Sequence, residues 1–100
     1  MKTKLVRDKI PQIIIDKGVK PEYYIAINDK EYERRLFDKM KEELQEFIDN
    51  PCIEEAADMY EVWNAIIEHW GMIPIDVISQ SNKKKKERGG FTNRIILNIP

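Results

Sequence analysis

The chain has 100 residues, a formal net charge of -1, 42% hydrophobic side chains and one cysteine, Cys52. A single cysteine excludes an internal disulfide and suits a reducing compartment, and the near-zero net charge gives no reason to expect a nucleic-acid or membrane partner. The length suits one domain, residues 1–100, and neither a membrane-length apolar run nor the apolar stretch of a signal peptide is present, so a cytoplasmic location is expected.

Residues 8–17 read as a short helix. Asp8 is a candidate cap, Pro11 falls in the first turn where its missing N–H is tolerated, and Gly18 suits a helix end. Ile10, Ile13 and Ile14 give this helix an apolar side. Lys4, Arg7 and Lys9 crowd positive charge at its start, the unfavourable end for cations, which suggests that they serve something anionic, although Lys4 taken singly reads rather as chance surface charge. Residues 22–27, EYYIAI, suit a short strand or an extended lead into the next helix. Asn28 followed by Glu31 resembles a capping box, and a long helix is expected from Asp29 to Asp49. Asn50-Pro51 ends it and opens the next, with Asn as cap and Pro at the first helical position. That helix runs to about Trp70, is closed by Gly71, and is apolar over most of its circumference, so it should be central. Pro74 opens a last helix that continues through the lysine run to Gly89-Gly90. The end, Arg94 to Pro100, is β-branched and extended, a candidate to pair with Tyr23–Ile27. The expected fold is an all-α antiparallel bundle of about four helices.

Charge is unevenly spread. Residues 42–82 hold ten acids and no Lys or Arg, whereas residues 83–88 hold five cations and one acid. Within the acidic stretch lie two short pairs, Glu43-x-x-Glu46 and Glu55-x-x-Asp58, separated by the Asn50-Pro51 turn. Residues three apart share a helix face, and two helices joined by a tight turn run antiparallel. Both pairs can therefore meet. Leu36, Met40, Glu43 and Phe47 follow a 4-3-4 spacing, so Glu43 stands where the apolar stripe calls for a Leu. Glu55 is similarly flanked by Met59, Val62 and Ile66. Burying an uncompensated carboxylate is expensive, and four like charges repel unless a cation sits among them. Hard dications choose oxygen ligands of this kind, and Mg2+ also meets phosphates. Glu43, Glu46, Glu55 and Asp58 are thus candidate ligands for Mg2+, with Mn2+ an acceptable substitute. Glu42, Asp49, Glu54, Glu61 and Glu68 read as solvated helix surface, though Glu42, like Glu46, is also a candidate proton acceptor.

Trp63 and Trp70 are seven apart and share a face, suited to a core, a subunit interface or stacking on a base. His69 sits near a helix end where positive charge is welcome. Lys83–Lys86 read as a solvated face or a weak nucleic-acid patch. Beside a metal-carboxylate site they also suit phosphate, and Gly89-Gly90 after Arg88 permits close backbone approach to a ligand.

The acid pattern resembles the ExxE...ExxD signature of the all-α nucleoside triphosphate pyrophosphohydrolases, the MazG-like group. The opening KLVRDKIP, Lys4 to Pro11, and the closing RGGF, Arg88 to Phe91, resemble its small single-domain branch, the phosphoribosyl-ATP pyrophosphohydrolase-like proteins. The resemblance covers nearly the whole chain. It implies Mg2+-dependent hydrolysis of a nucleoside triphosphate between the α and β phosphates, giving a monophosphate and pyrophosphate. By matching position, Glu43, Glu46, Glu55 and Asp58 are the implied metal ligands, and Lys83, Lys84 and Arg88 the implied phosphate contacts. Glu42, Glu43 and Glu46 are the acids assigned to catalysis, and a homodimer or homotetramer is implied. The connection between the acid pairs is short and the family's usual long insertion is missing, so no base-reading residue is carried over. The alternatives are phosphoribosyl-ATP as substrate, a non-catalytic nucleotide-binding module, and a structural helical oligomer whose lysine run touches nucleic acid.

Overall fold

A computed structural model of the chain describes residues 2–99. It is all-α, with α1 (Ile10–Asp16), α2 (Asp29–Asp49), α3 (Ile53–His69) and α4 (Pro74–Arg88). Internal contacts group the chain into two compact units, Met1–Ile66 and Ile67–Pro100.

In the first unit α1 is shorter than the sequence suggests. Asp8 does not cap it; Lys9 holds that position without a side-chain hydrogen bond. The helix closes at Gly18, whose φ of 84° lets the Gly18 and Val19 amides turn back to the Ile15 and Ile14 carbonyls, a Schellman ending. The bounds of α2 match expectation. The Asn28 side chain accepts from the Glu31 amide at 2.8 Å, and the Glu31 carboxylate accepts from the Ile27 amide at 3.1 Å. One orphan donor of the helix, the Glu31 amide, is thereby satisfied, and the Glu31 side chain reaches back to the residue before the cap rather than to the cap itself.

α3 begins two residues later than Pro51 suggests. Asn50 caps the end of α2, its amide bonded to the Glu46 carbonyl, and Pro51 lies in the turn. The Cys52 carbonyl then accepts the Ala56 amide at 3.0 Å, so proline's fixed φ serves the turn before the helix.

Leu36, 1% exposed, packs with Val62 and Ile66, flanked by Leu5, Tyr32, Met40 and Ala65. Leu36 on α2 therefore meets residues late in α3, while Glu43 and Glu46 meet Glu55 and Asp58 beside the turn, an antiparallel register. The N-terminal segment lies along α2. Arg35 donates to the Thr3 carbonyl at 3.0 Å and to its hydroxyl at 2.7 Å, and Leu5 reaches the apolar cluster.

In the second unit α3 ends in another Schellman arrangement. The Gly71 and Met72 amides return to the Glu68 and Ile67 carbonyls, both at 2.9 Å, with Gly71 at φ 72°. Pro74 opens α4 as expected, and Lys85, Lys86 and Arg88 occupy its last turn, where the helix dipole favours cations. No strand is present among the described residues. The expected pairing of Tyr23–Ile27 with Arg94–Pro100 is therefore corrected, and Pro100 itself lies outside those residues. β-Branched composition alone does not make a strand without a ladder partner. The tail also starts from a turn, with the Arg94 amide bonded to the Phe91 carbonyl and Arg94 at φ 58°.

Candidate metal centre

The α2–α3 turn brings the two acid pairs together. Glu43, Glu46, Glu55 and Asp58 each offer a carboxylate oxygen, and the four atoms lie within 4.8 Å of one another. Glu43 is 6% exposed, the one charged side chain buried in the core among the described residues. Its Oε2 and Glu55 Oε2 are buried without a hydrogen-bond partner. An orphaned carboxylate oxygen is costly, and two facing one cluster mark a place where the protein alone does not complete the chemistry.

The electrostatics agree. Burial pushes the Glu43 carboxyl above its ordinary range; Lys39 opposes that rise and neighbouring Glu46 adds to it. Lys39 Nζ stands 3.3 Å from Glu43 Oε1 and 3.3 Å from Glu42 Oε2. Glu42 is also held by Lys4 at 2.9 Å. The hydrogen bond from Lys4 lowers the Glu42 carboxyl, with Lys39 helping against partial desolvation. The same bond raises the Lys4 ammonium. Arg7 Nη2 donates to Asp58 Oδ1 at 2.9 Å. The stretch without Lys or Arg thus receives its cations from outside: Lys4 and Arg7 from the N-terminal segment, Lys39 from one turn earlier on α2. For Lys4 and Arg7, though not for Lys9, the expected anionic partner is an acid of this stretch.

Four carboxylates form a hard oxygen donor set of the kind that holds divalent cations. A span of 4.8 Å equals the separation of opposite oxygens around an ion with ligands at about 2.4 Å, within the Ca2+ range; Mg2+ requires closure by about 0.7 Å. Side-chain rotation supplies such a shift, so the residues fit a dication.

The remaining candidates fall elsewhere. Lys83, Lys84 and Arg88 are exposed on α4. Lys84 and Arg88, with Gly89, Gly90 and Phe91, line an open groove of about 1130 Å³ in the second unit. Trp63 and Trp70 are about half exposed, and the His69 and Trp70 rings meet edge to face at 4.8 Å. Sequence reasoning missed Lys39 and the target of Arg7. The first was readable, being four residues before Glu43 on one helix. The second joins residues 51 apart and has no local signature. No family model, curated protein or solved structure matches the chain.

Proposed function

We propose that the protein is a divalent-cation-dependent nucleoside triphosphate pyrophosphohydrolase, converting a triphosphate and water to a monophosphate and pyrophosphate. The observation that supports it most is the convergence of four carboxylates with two buried, unpartnered oxygens, Glu43 Oε2 and Glu55 Oε2. The reaction itself rests on the resemblance of the acid pairs, KLVRDKIP and RGGF to the MazG-like group.

In this reading Glu43, Glu46, Glu55 and Asp58 would hold Mg2+ or Mn2+. A bound dication supplies Lewis acidity toward phosphoryl oxygens and lowers the pKa of coordinated water. Glu46, the most exposed of the four, would be the acid least engaged by the ion and so the one left to accept the proton of the attacking water. Glu42 is weaker as a base because Lys4 and Lys39 stabilise its charged form. Glu43 and Glu55, each with one carboxylate oxygen buried, would fix where the ion and hence the substrate's phosphates sit. Of the phosphate contacts that the resemblance implies, Lys84 and Arg88 line the open groove of the second unit and keep that role, whereas Lys83 does not line it. A homodimer or homotetramer belongs to the same reading, supported by exposed apolar side chains such as Ile53, Tyr60 and Ile48. A cytoplasmic location is supported by the lone cysteine. No helix among the described residues is long and apolar enough to cross a membrane.

The test is pyrophosphate release from common, deoxy and oxidised nucleoside triphosphates, with Mg2+ and with chelator. Release that needs Mg2+ and disappears in Glu43→Gln is expected. Release that survives Glu43→Gln would rule out the assignment of this cluster.

A further inference from the structure

The carboxylate cluster carries its own counter-cations. Arg7 Nη2 is 2.9 Å from Asp58 Oδ1, and Lys39 Nζ is 3.3 Å from Glu43 Oε1. Among the described residues, these are the two cations that the structure places directly on members of the proposed ligand set. Glu42 lies one residue outside the set and is matched by Lys4 at 2.9 Å. Four carboxylates compensated by two fixed cations leave two negative charges, the charge that one dication neutralises. The two orphaned oxygens, Glu43 Oε2 and Glu55 Oε2, are distinct from the Glu43 oxygen engaged by Lys39, so the counter-cations do not satisfy them.

We infer that Arg7 and Lys39 act as built-in counter-cations that limit the substrate-free centre to one divalent cation and weaken its hold on that ion. This deepens the metal-centre reading and rests on it. The two residues differ in kind. Lys39 is fixed one helical turn from Glu43 and is mostly buried, whereas Arg7 is more than half exposed. Arg7 is carried by the N-terminal segment, tied to α2 through Thr3 and Lys4. Arg7 therefore sets the cluster's charge from a segment distant in sequence. Like charges near a bound ion repel it, less strongly as salt screens them. Removing the Arg7 charge should tighten cation binding. A purely orienting role for Arg7, holding Asp58 in place, predicts the opposite sign, because loss of an orienting partner typically weakens metal affinity by about 10- to 100-fold.

The experiment is titration of the full chain with Mn2+ alone, read by loss of the free-ion electron spin resonance signal and by calorimetry. The wild type is expected to bind one Mn2+ per chain. Arg7→Gln should bind it several-fold more tightly at low salt, with the gain shrinking as salt rises, while Arg7→Lys should stay close to wild type. Circular dichroism checks that the exposed substitution leaves the helices intact. Equal affinity in wild type and Arg7→Gln, weaker binding in Arg7→Gln, or two Mn2+ ions in the wild type each overturn the inference while leaving the metal centre standing. Absence of Mn2+ binding in the wild type overturns both. Pyrophosphate release is not needed for any of these readings.

Discussion

The chain holds two dense groups of charge that look comparable as text and differ completely as structure. The acids between Glu42 and Asp58 converge: Glu43 is buried and four carboxylate oxygens lie within 4.8 Å. The cations from Lys83 to Arg88 stay exposed along α4. The cause is spacing. Consecutive helical residues are about 100° apart, so four adjacent lysines spread around the helix and select no face. Acids three apart point one way, and two such pairs across a tight turn meet. Charge density says little about function. Where the charges fall relative to the apolar stripe says much more.

The widest separation between the two groups is expected in activity. Glu43→Gln should reduce Mg2+-dependent pyrophosphate release by more than the roughly 100-fold that loss of an outer partner costs a metal site, read in single-turnover assays at saturating metal. Folding should survive, because a neutral amide relieves the burial cost that raises this carboxyl. Next comes stabilisation by metal. A ligand that binds the folded chain alone at a hundred times its Kd adds about 2.7 kcal/mol. Mg2+ or Mn2+ should therefore raise the wild-type Tm by several degrees and leave that of the Glu43→Gln, Glu55→Gln double variant unmoved. A double variant that still gains Tm would break the contrast, since the cation would then be bound outside the cluster.

A smaller effect concerns pH in chelator. The Glu43 carboxyl is raised by burial above the ordinary Glu value of 4.5, so the folded chain holds that proton more tightly than the unfolded chain. Its contribution favours folding at pH below about 4.5 and is lost as pH rises through the raised folded value. The charge groups around Glu42 and Glu31 run the other way, since their carboxyls are lowered and their contribution is lost on acidification. Comparing wild type with Glu43→Gln isolates the first contribution. Near neutral pH without metal the variant should melt at or above the wild-type temperature, and its relative advantage should vanish toward acid. A wild type that is the more stable of the two at neutral pH in chelator would mean that the Lys39 pair outweighs the burial cost.

Much of this was legible before any coordinates, for local reasons. The Asn28 cap, the Asn50-Pro51 stop, Gly71 and the opening Pro74 each act within a few residues, and the bounds of α2 and α4 follow from them. The carboxylate cluster was legible because it needs only two helices, one turn and the position of Glu43 in the stripe. The misreadings share the opposite origin. Proline at 51 was compatible with both a turn and a first helical position, and local chemistry did not decide. The Ile-rich tail has strand-like composition but lacks a paired ladder. Arg7 meets Asp58 across 51 residues, a distance at which no periodicity operates.

The smallest expected effects sharpen the other side of the contrast. If the α4 cations are a solvated surface except where a ligand reaches them, Lys83→Gln should change stability by less than about 0.5 kcal/mol and leave Mn2+ affinity and KM unchanged. Arg88 differs in two respects. It occupies the last turn of α4, where the helix dipole favours a cation, and it lines the groove that includes Gly89, Gly90 and Phe91. Arg88→Gln should raise KM for the triphosphate with Mn2+ binding retained, the pattern of a lost ground-state contact. The pair of variants separates position from charge. Both remove one positive charge from the same helix, so equal increases in KM would point to a general field, and an increase for Arg88 alone would point to a contact. A change in Mn2+ affinity with either variant would contradict the view that the two charged groups do different jobs.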